Sequence, residues 1–206
     1  MKYWYANVIA RKRTNMPHWH VPNGIYFVTF RLADSLPRYV EERLAEMRKA
    51  LRSAREDRHD GVEARRVERA IFKVTEDDLD IHRGKCWLRN SEVAVMVQSA
   101  FDYGDGNAYE MVAMALMPNH VHVVFRLADA ELDAVIKQWK SFTSHRANKM
   151  LGRSGRFWQA DYFDVLMRDS EQLQRTVTYV LNNPAKAGLE NWPYTRSWPE
   201  RIALMI

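Results

Sequence analysis

Two histidines separated by one apolar residue stand in the run Met117-Pro118-Asn119-His120-Val121-His122-Val123-Val124-Phe125. Pro118-Asn119 is a turn pair, and the β-branched residues after it read as a strand. Side chains alternate across a strand, so His120 and His122 share one face, roughly 7 Å apart. Val121, Val123 and Phe125 point the other way, toward a core. Two imidazoles side by side on a rigid strand can chelate one divalent cation, with metal–nitrogen bonds of about 2.0–2.2 Å.

A second group of reactive residues lies some sixty positions on. The segment from Ser170 to about Asn182 has helical periodicity, with Ser170 as its cap and Pro184 as its stop. Its apolar stripe is Leu173, Val177, Val180 and Leu181, and Tyr179 falls roughly 150° from the centre of that stripe. Asn183 follows four residues later and therefore lies on the same side. A phenol beside a metal and a polyanion path points to nucleophilic attack on a phosphodiester. The metal would polarise the phosphate oxygens, and a phenol with a pKa near ~10 needs that help.

Other elements must hold these groups in place. Residues 24–32 (GIYFVTFRL) form a first strand, and 91–101 a helix. Residues 109–116 pair with 120–127 as a hairpin, so the histidines open its second strand. Residues 129–151 form a helix whose apolar face is Leu132, Val135, Ile136, Trp139 and Phe142. Lys137, Lys140, Arg146 and Lys149 lie off that face, and Arg153 and Arg156 sit in the basic loop after it. Residues 157–168 are extended. From Val40 to about Arg69 the chain is dense in Glu, Arg, Lys and Ala with a thin apolar stripe, broken at Asp60-Gly61. It reads as a solvated pair of helices, whose arginines could alternatively flank a DNA path.

The chain has 206 residues, a net charge of +5, seven tryptophans and nine tyrosines. Cations with many rings suit single-stranded nucleic acid, where charges track phosphates and rings stack on bases. The single cysteine, Cys86, excludes an internal disulfide and a thiolate zinc cluster. It reads as a small buried hydrophobe in a protein of the reducing cytoplasm. No apolar run approaches a membrane span, and the N-terminus lacks the apolar core of a signal peptide.

Four segments resemble the HUH single-tyrosine transposases, in particular the REP-associated tyrosine transposases of bacteria: YFVTFRL (26–32), MPNHVHVVF (117–125), IKQWKSFTSHRANK (136–149) and FWQADYFDVLMRDSEQLQRTVTYVLNNPAKAGL (157–189). The resemblance implies an α+β fold with a ferredoxin-like antiparallel sheet, here in one domain over 1–206 with a charged helical insertion at about 38–100. It implies cleavage of single-stranded DNA near a REP-like hairpin through a covalent 5′-phosphotyrosine, with rejoining to another 3′-OH. By position, His120 and His122 become metal ligands, Tyr179 the nucleophile and Asn183 the third ligand. Mg²⁺ or Mn²⁺ would suit the site. Both monomer and homodimer are compatible with the resemblance, as is association with the bacterial nucleoid.

Nucleic-acid contacts are expected from Lys137, Lys140, Arg146, Lys149, Arg153 and Arg156. Trp19, in the second HxH run His18-Trp19-His20, is a further stacking candidate. Tyr162, in FWQADYF, reads as structural. Two other functions compete. One is a non-catalytic module that binds single-stranded or hairpin nucleic acid. The other is a metal hydrolase using water, which lacks an evident carboxylate ligand near the histidine pair, though Asp161, Asp164 and Asp169 could contribute from afar.

Overall fold

A computed structural model describes residues 9–13, 16–56 and 61–206. Strands β1 (Ile9–Arg13) and β2 (Met16–His20) pair with each other, apart from the main sheet. Then come β3 (Ile25–Arg31), α1 (Arg38–Glu56), α2 (Gly61–Leu79), α3 (Ser91–Asp102), β4 (Tyr109–Leu116), β5 (His120–Leu127), α4 (Leu132–Met150), β6 (Phe163–Leu166), α5 (Ser170–Lys186), β7 (Thr195–Ser197) and α6 (Pro199–Met205). The main sheet is antiparallel, in the order β6-β3-β5-β4-β7. Setting aside β7 and the α1–α2 hairpin, the succession β3-α3-β4-β5-α4-β6 is the βαββαβ unit of a ferredoxin-like fold. The α+β expectation holds.

Both faces of the sheet are covered, which is why all seven residues of β3 are buried. On one face, Tyr26, Val28, Phe30, Val121, Val123 and Phe125 pack beneath α3 and α4. On the other, Ile25, Phe27, Ala113, Ala115 and Val124 pack beneath Leu173, Val177 and Val180 of α5. A bulge in β4 between Met111 and Ala113 shifts the register against β5. The α1–α2 hairpin has a separate small core of Leu36, Val40, Leu44, Leu51, Ala64, Ile71 and Leu79.

Several sequence expectations need correction. α2 runs to Leu79, ten residues past Arg69. Asp169 rather than Ser170 caps α5, accepting from the Gln172 N–H at 2.7 Å. α5 also continues through Pro184 to Lys186, because a proline in the last turn disturbs little helix beyond it. Phe142 is half exposed, and Thr143 and Ala147 complete the buried face of α4 instead. Thr143 lies there because its hydroxyl joins the α4 backbone to a buried indole: it donates to the Trp139 carbonyl and accepts from Trp158 Nε1 at 2.8 Å. Trp139 in turn donates to the Tyr109 hydroxyl, which donates to the Phe101 carbonyl. Each buried side-chain polar atom of this Thr143–Trp158–Trp139–Tyr109 relay has a partner. Cys86 is buried as expected, its thiol donating to the His82 carbonyl.

Trp139→Ala should therefore cost about 3–5 kcal/mol in chemical denaturation, whereas Phe142→Ser should change stability by no more than about 0.5 kcal/mol.

Candidate active site

His120 and His122 lie on the sheet face beneath α5, and neither is exposed to solvent. Pairing sets their neighbours: Thr29 of β3 stands opposite His122, and Arg31 opposite His120. Thr29 Oγ1 is 2.8 Å from His122 Nδ1, and Phe27 stacks on the His122 ring. Asn119 fixes His120. Its amide nitrogen donates to the backbone carbonyls of Leu79 and Arg83, at 3.2 and 3.3 Å. Those carbonyls can only accept, so the Asn119 oxygen is the atom that faces His120 Nδ1, at 2.8 Å. A carbonyl oxygen cannot donate, so Nδ1 carries the proton and Nε2 of the neutral ring presents its lone pair.

That lone pair points into a cluster of donor atoms. His120 Nε2 and His122 Nε2 are 2.9 Å apart, and Glu76 Oε2 is 3.2 Å from His122 Nε2. Donor atoms of all three residues lie within 4.8 Å of one another. Neighbouring donors around one ion with bonds of ~2.1 Å are about 3.0–3.4 Å apart, so the arrangement suits a shared cation. Asn183, near the end of α5, is buried, and among the described residues neither of its amide atoms nor Glu76 Oε1 has a hydrogen-bond partner. Buried polar groups are almost always satisfied, so these orphaned atoms fit a site built around a further polar group. Together, two imidazoles and a carboxylate form a donor set that accepts a hard or borderline divalent ion.

Tyr179 completes the cluster. Its ring lies edge-on to His122 with centroids 5.5 Å apart and edge-on to Phe27 at 5.9 Å, and its hydroxyl donates to Glu76 Oε2. Burial, and then the adjacent Glu76 carboxylate, push the phenol far above its ordinary range. Burial also drives His120 well below the usual imidazole range, and the neighbouring His122 adds to this. For Glu76, burial opposes ionisation, but His122 and His120 outweigh it and, with the Tyr179 hydroxyl, hold the carboxyl at about 2. As arranged, the site holds a carboxylate and a phenol.

The structure therefore brings His120, His122 and Tyr179 together, with Asn183 beside Tyr179 on α5. The water-hydrolase reading looked to Asp161, Asp164 and Asp169, but the carboxylate at the histidines is Glu76. It belongs to the part of α2 past Arg69, beyond the stretch read as solvated, and it lies four residues after Phe72 and three before Leu79, on the helix face that packs inward. Asn119, read as a turn residue, is the orienter of His120.

The expected nucleic-acid contacts sit elsewhere. Lys137, Arg146 and Lys149 are exposed on α4, which covers the opposite face of the sheet. Arg156 is exposed in the following loop, and Arg153 lies over Trp87 and Phe157. Lys140 is half-buried, and its ammonium donates to the carbonyls of Gln159, Ala160 and Asp161, so it pins that loop. Burial lowers it to about 8. Trp19 falls on β2, but its side chain lies outside the described residues. Tyr162 donates to Asp133 at 2.6 Å, in keeping with a structural role.

Residues 86–183, which carry both histidines, Tyr179 and Asn183, match the family described as IS200-like transposases. The chain resembles the REP-associated tyrosine transposases. A curated protein of Haemophilus influenzae, described as a candidate member of that group, is 26% identical over 102 residues, covering 42% of this chain and 58% of the relative. The match thus spans little more than half of that relative's length. A solved structure of a REP-associated tyrosine transposase bound to a REP hairpin aligns with 89% of this chain and 82% of its own, at a TM-score of 0.50 and 14% identity. At that identity it speaks for the transposase fold alone. Glu76 lies outside the segment matched by the family.

Asn119→Ala should remove the clamp on His120 and leave the Leu79 and Arg83 carbonyls short of a donor. The expected result is a loss of about 1–3 kcal/mol in denaturation, with Mn²⁺ affinity by calorimetric titration falling about 10–100-fold.

Proposed function

We propose that this chain is a metal-dependent single-stranded DNA endonuclease and strand transferase that cleaves near a hairpin. The observation that carries the reading is the meeting of Tyr179 from α5 with His120 and His122 from β5, around a cluster of convergent donor atoms. A phenol so placed has one evident chemical use beside a Lewis acid and a polyanion, which is attack on phosphorus.

In this reading His120, His122 and Asn183 hold Mg²⁺ or Mn²⁺, which when bound would polarise the scissile phosphate. Tyr179 forms the new oxygen–phosphorus bond as the bond from phosphorus to the 3′ oxygen breaks, leaving a 5′-phosphotyrosine and a free 3′-OH. A second 3′-OH reverses the step and releases Tyr179, so the phosphodiester is conserved. Thr29 and Asn119 keep the two imidazoles in the orientation that presents Nε2. Lys137, Arg146, Lys149 and Arg156 would hold flanking phosphates, with Arg153 and Trp19 as further contacts and Lys140 acting through the loop it pins. Hairpin DNA as the substrate rests on the REP hairpin bound by the solved relative. No helix among the described residues is long and apolar enough to cross a membrane.

Tyr179→Phe should abolish the covalent adduct with labelled hairpin DNA in Mn²⁺, on a denaturing gel, while hairpin binding persists. Cleavage without protein-linked DNA would instead indicate water as the nucleophile. Removing Arg146 and Lys149 together should reduce the salt slope of DNA binding by about 1 per lost phosphate contact. Lys140→Met should act mainly through stability, lowering the melting temperature.

A further inference from the structure

The Glu76 carboxylate sits where the reacting phosphate has to go. Any phosphate attacked by Tyr179 must touch the tyrosine hydroxyl and, at the same time, the ion held by the histidines. Glu76 Oε2 already does the equivalent: it accepts from the Tyr179 hydroxyl and lies 3.2 Å from His122 Nε2. Carboxylate and phosphate oxygens are both anionic acceptors, so one replaces the other without changing the chemistry of the site. Glu76 is 3% exposed, and His120 and His122 are fully enclosed, so a DNA backbone cannot reach the histidines while α2 is seated.

The hairpin is built for such a role. α1 and α2 bury a core of their own, so the pair can shift without opening the sheet. Its ties to the rest of the protein gather at the site: Phe72 against Phe163 and Phe27, the Leu79 carbonyl on Asn119, and Asp80 on Lys186 at 2.7 Å. Glu41 on Arg31 adds one at the α1 end.

We propose that Glu76 is an exchangeable ligand: it occupies the phosphate position in the resting protein, completes the metal site there, and leaves with α2 when DNA enters. The α1–α2 hairpin is then a gate over the active site. This rests on the nuclease reading above.

The test compares the full chain with its Glu76→Gln variant. Without DNA, Glu76→Gln should weaken Mn²⁺ binding, measured by titration calorimetry, at least about tenfold. At saturating Mn²⁺ it should form the Tyr179 adduct with hairpin DNA faster than the parent, because the competing carboxylate is gone. Unchanged Mn²⁺ affinity would overturn the proposal. So would loss of the adduct in a variant that melts normally, since Glu76 would then be needed throughout the reaction. Absence of adduct from both chains would strike the nuclease reading itself, and the gate with it. In the unaltered chain, saturating hairpin DNA should speed amide exchange over residues 71–79, and slower exchange there would overturn the gate independently of any variant.

Discussion

Two imidazole nitrogens and a carboxylate oxygen converging in a space closed to solvent place three potential ligands around one point. His120 Nε2, His122 Nε2 and Glu76 Oε2 converge in this way, and the Asn119 amide, clamped by two backbone carbonyls, fixes the first of them as a lone pair. A cation at that point would be bound by all three at once. Much of the architecture can be read as serving this convergence. β5 is the middle strand of the sheet, paired on both sides, so its two histidines are held in register by β3 and β4. Thr29 is the cross-strand neighbour that orients the second imidazole, and α5 lies over the same face with Tyr179 against His122.

The sheet divides labour between its faces. The α3–α4 side is a dense aromatic core in which Trp139, Tyr109, Trp158 and Thr143 satisfy one another's polar atoms. The α5 side tolerates buried ionisable groups because each is matched by another. Glu76 ionises there despite its burial because the histidines stabilise its charge, and the same carboxylate suppresses ionisation of Tyr179. One side supplies rigidity and the other chemistry. A nucleophile kept as a phenol in the resting arrangement is consistent with a site that acts only once another anion displaces Glu76.

The parts of this that were legible in the sequence share one property: they depend on local periodicity. Strand alternation placed His120 and His122 on a common face opposite Val121, Val123 and Phe125. Helical spacing put Tyr179 and Asn183 on one side of α5. What could not be read depends on contacts between distant segments. Glu76 sits in a helix so rich in charge that its one inward-facing carboxylate looks like its solvated neighbours, although its spacing from Phe72 and Leu79 marks the packed face. Asn119 looked like turn chemistry because its true partners, the carbonyls of Leu79 and Arg83, are about forty residues away. Phe142 continued the apolar stripe of α4, yet the core closes over Thr143, whose hydroxyl bridges two tryptophans. Lys140 looked like a free cation on a polar face and instead closes the loop at Gln159 to Asp161.

The central claim is that His120, His122 and Glu76 form one metal centre beneath Tyr179. Anomalous diffraction from crystals of the full chain grown with Mn²⁺ tests it most directly. A single strong peak is expected within about 2.0–2.3 Å of Nε2 of both histidines, with a Glu76 oxygen in the same coordination shell when no DNA is present. A peak elsewhere in the protein, with the two histidines bonded only to each other and to protein side chains, would contradict it.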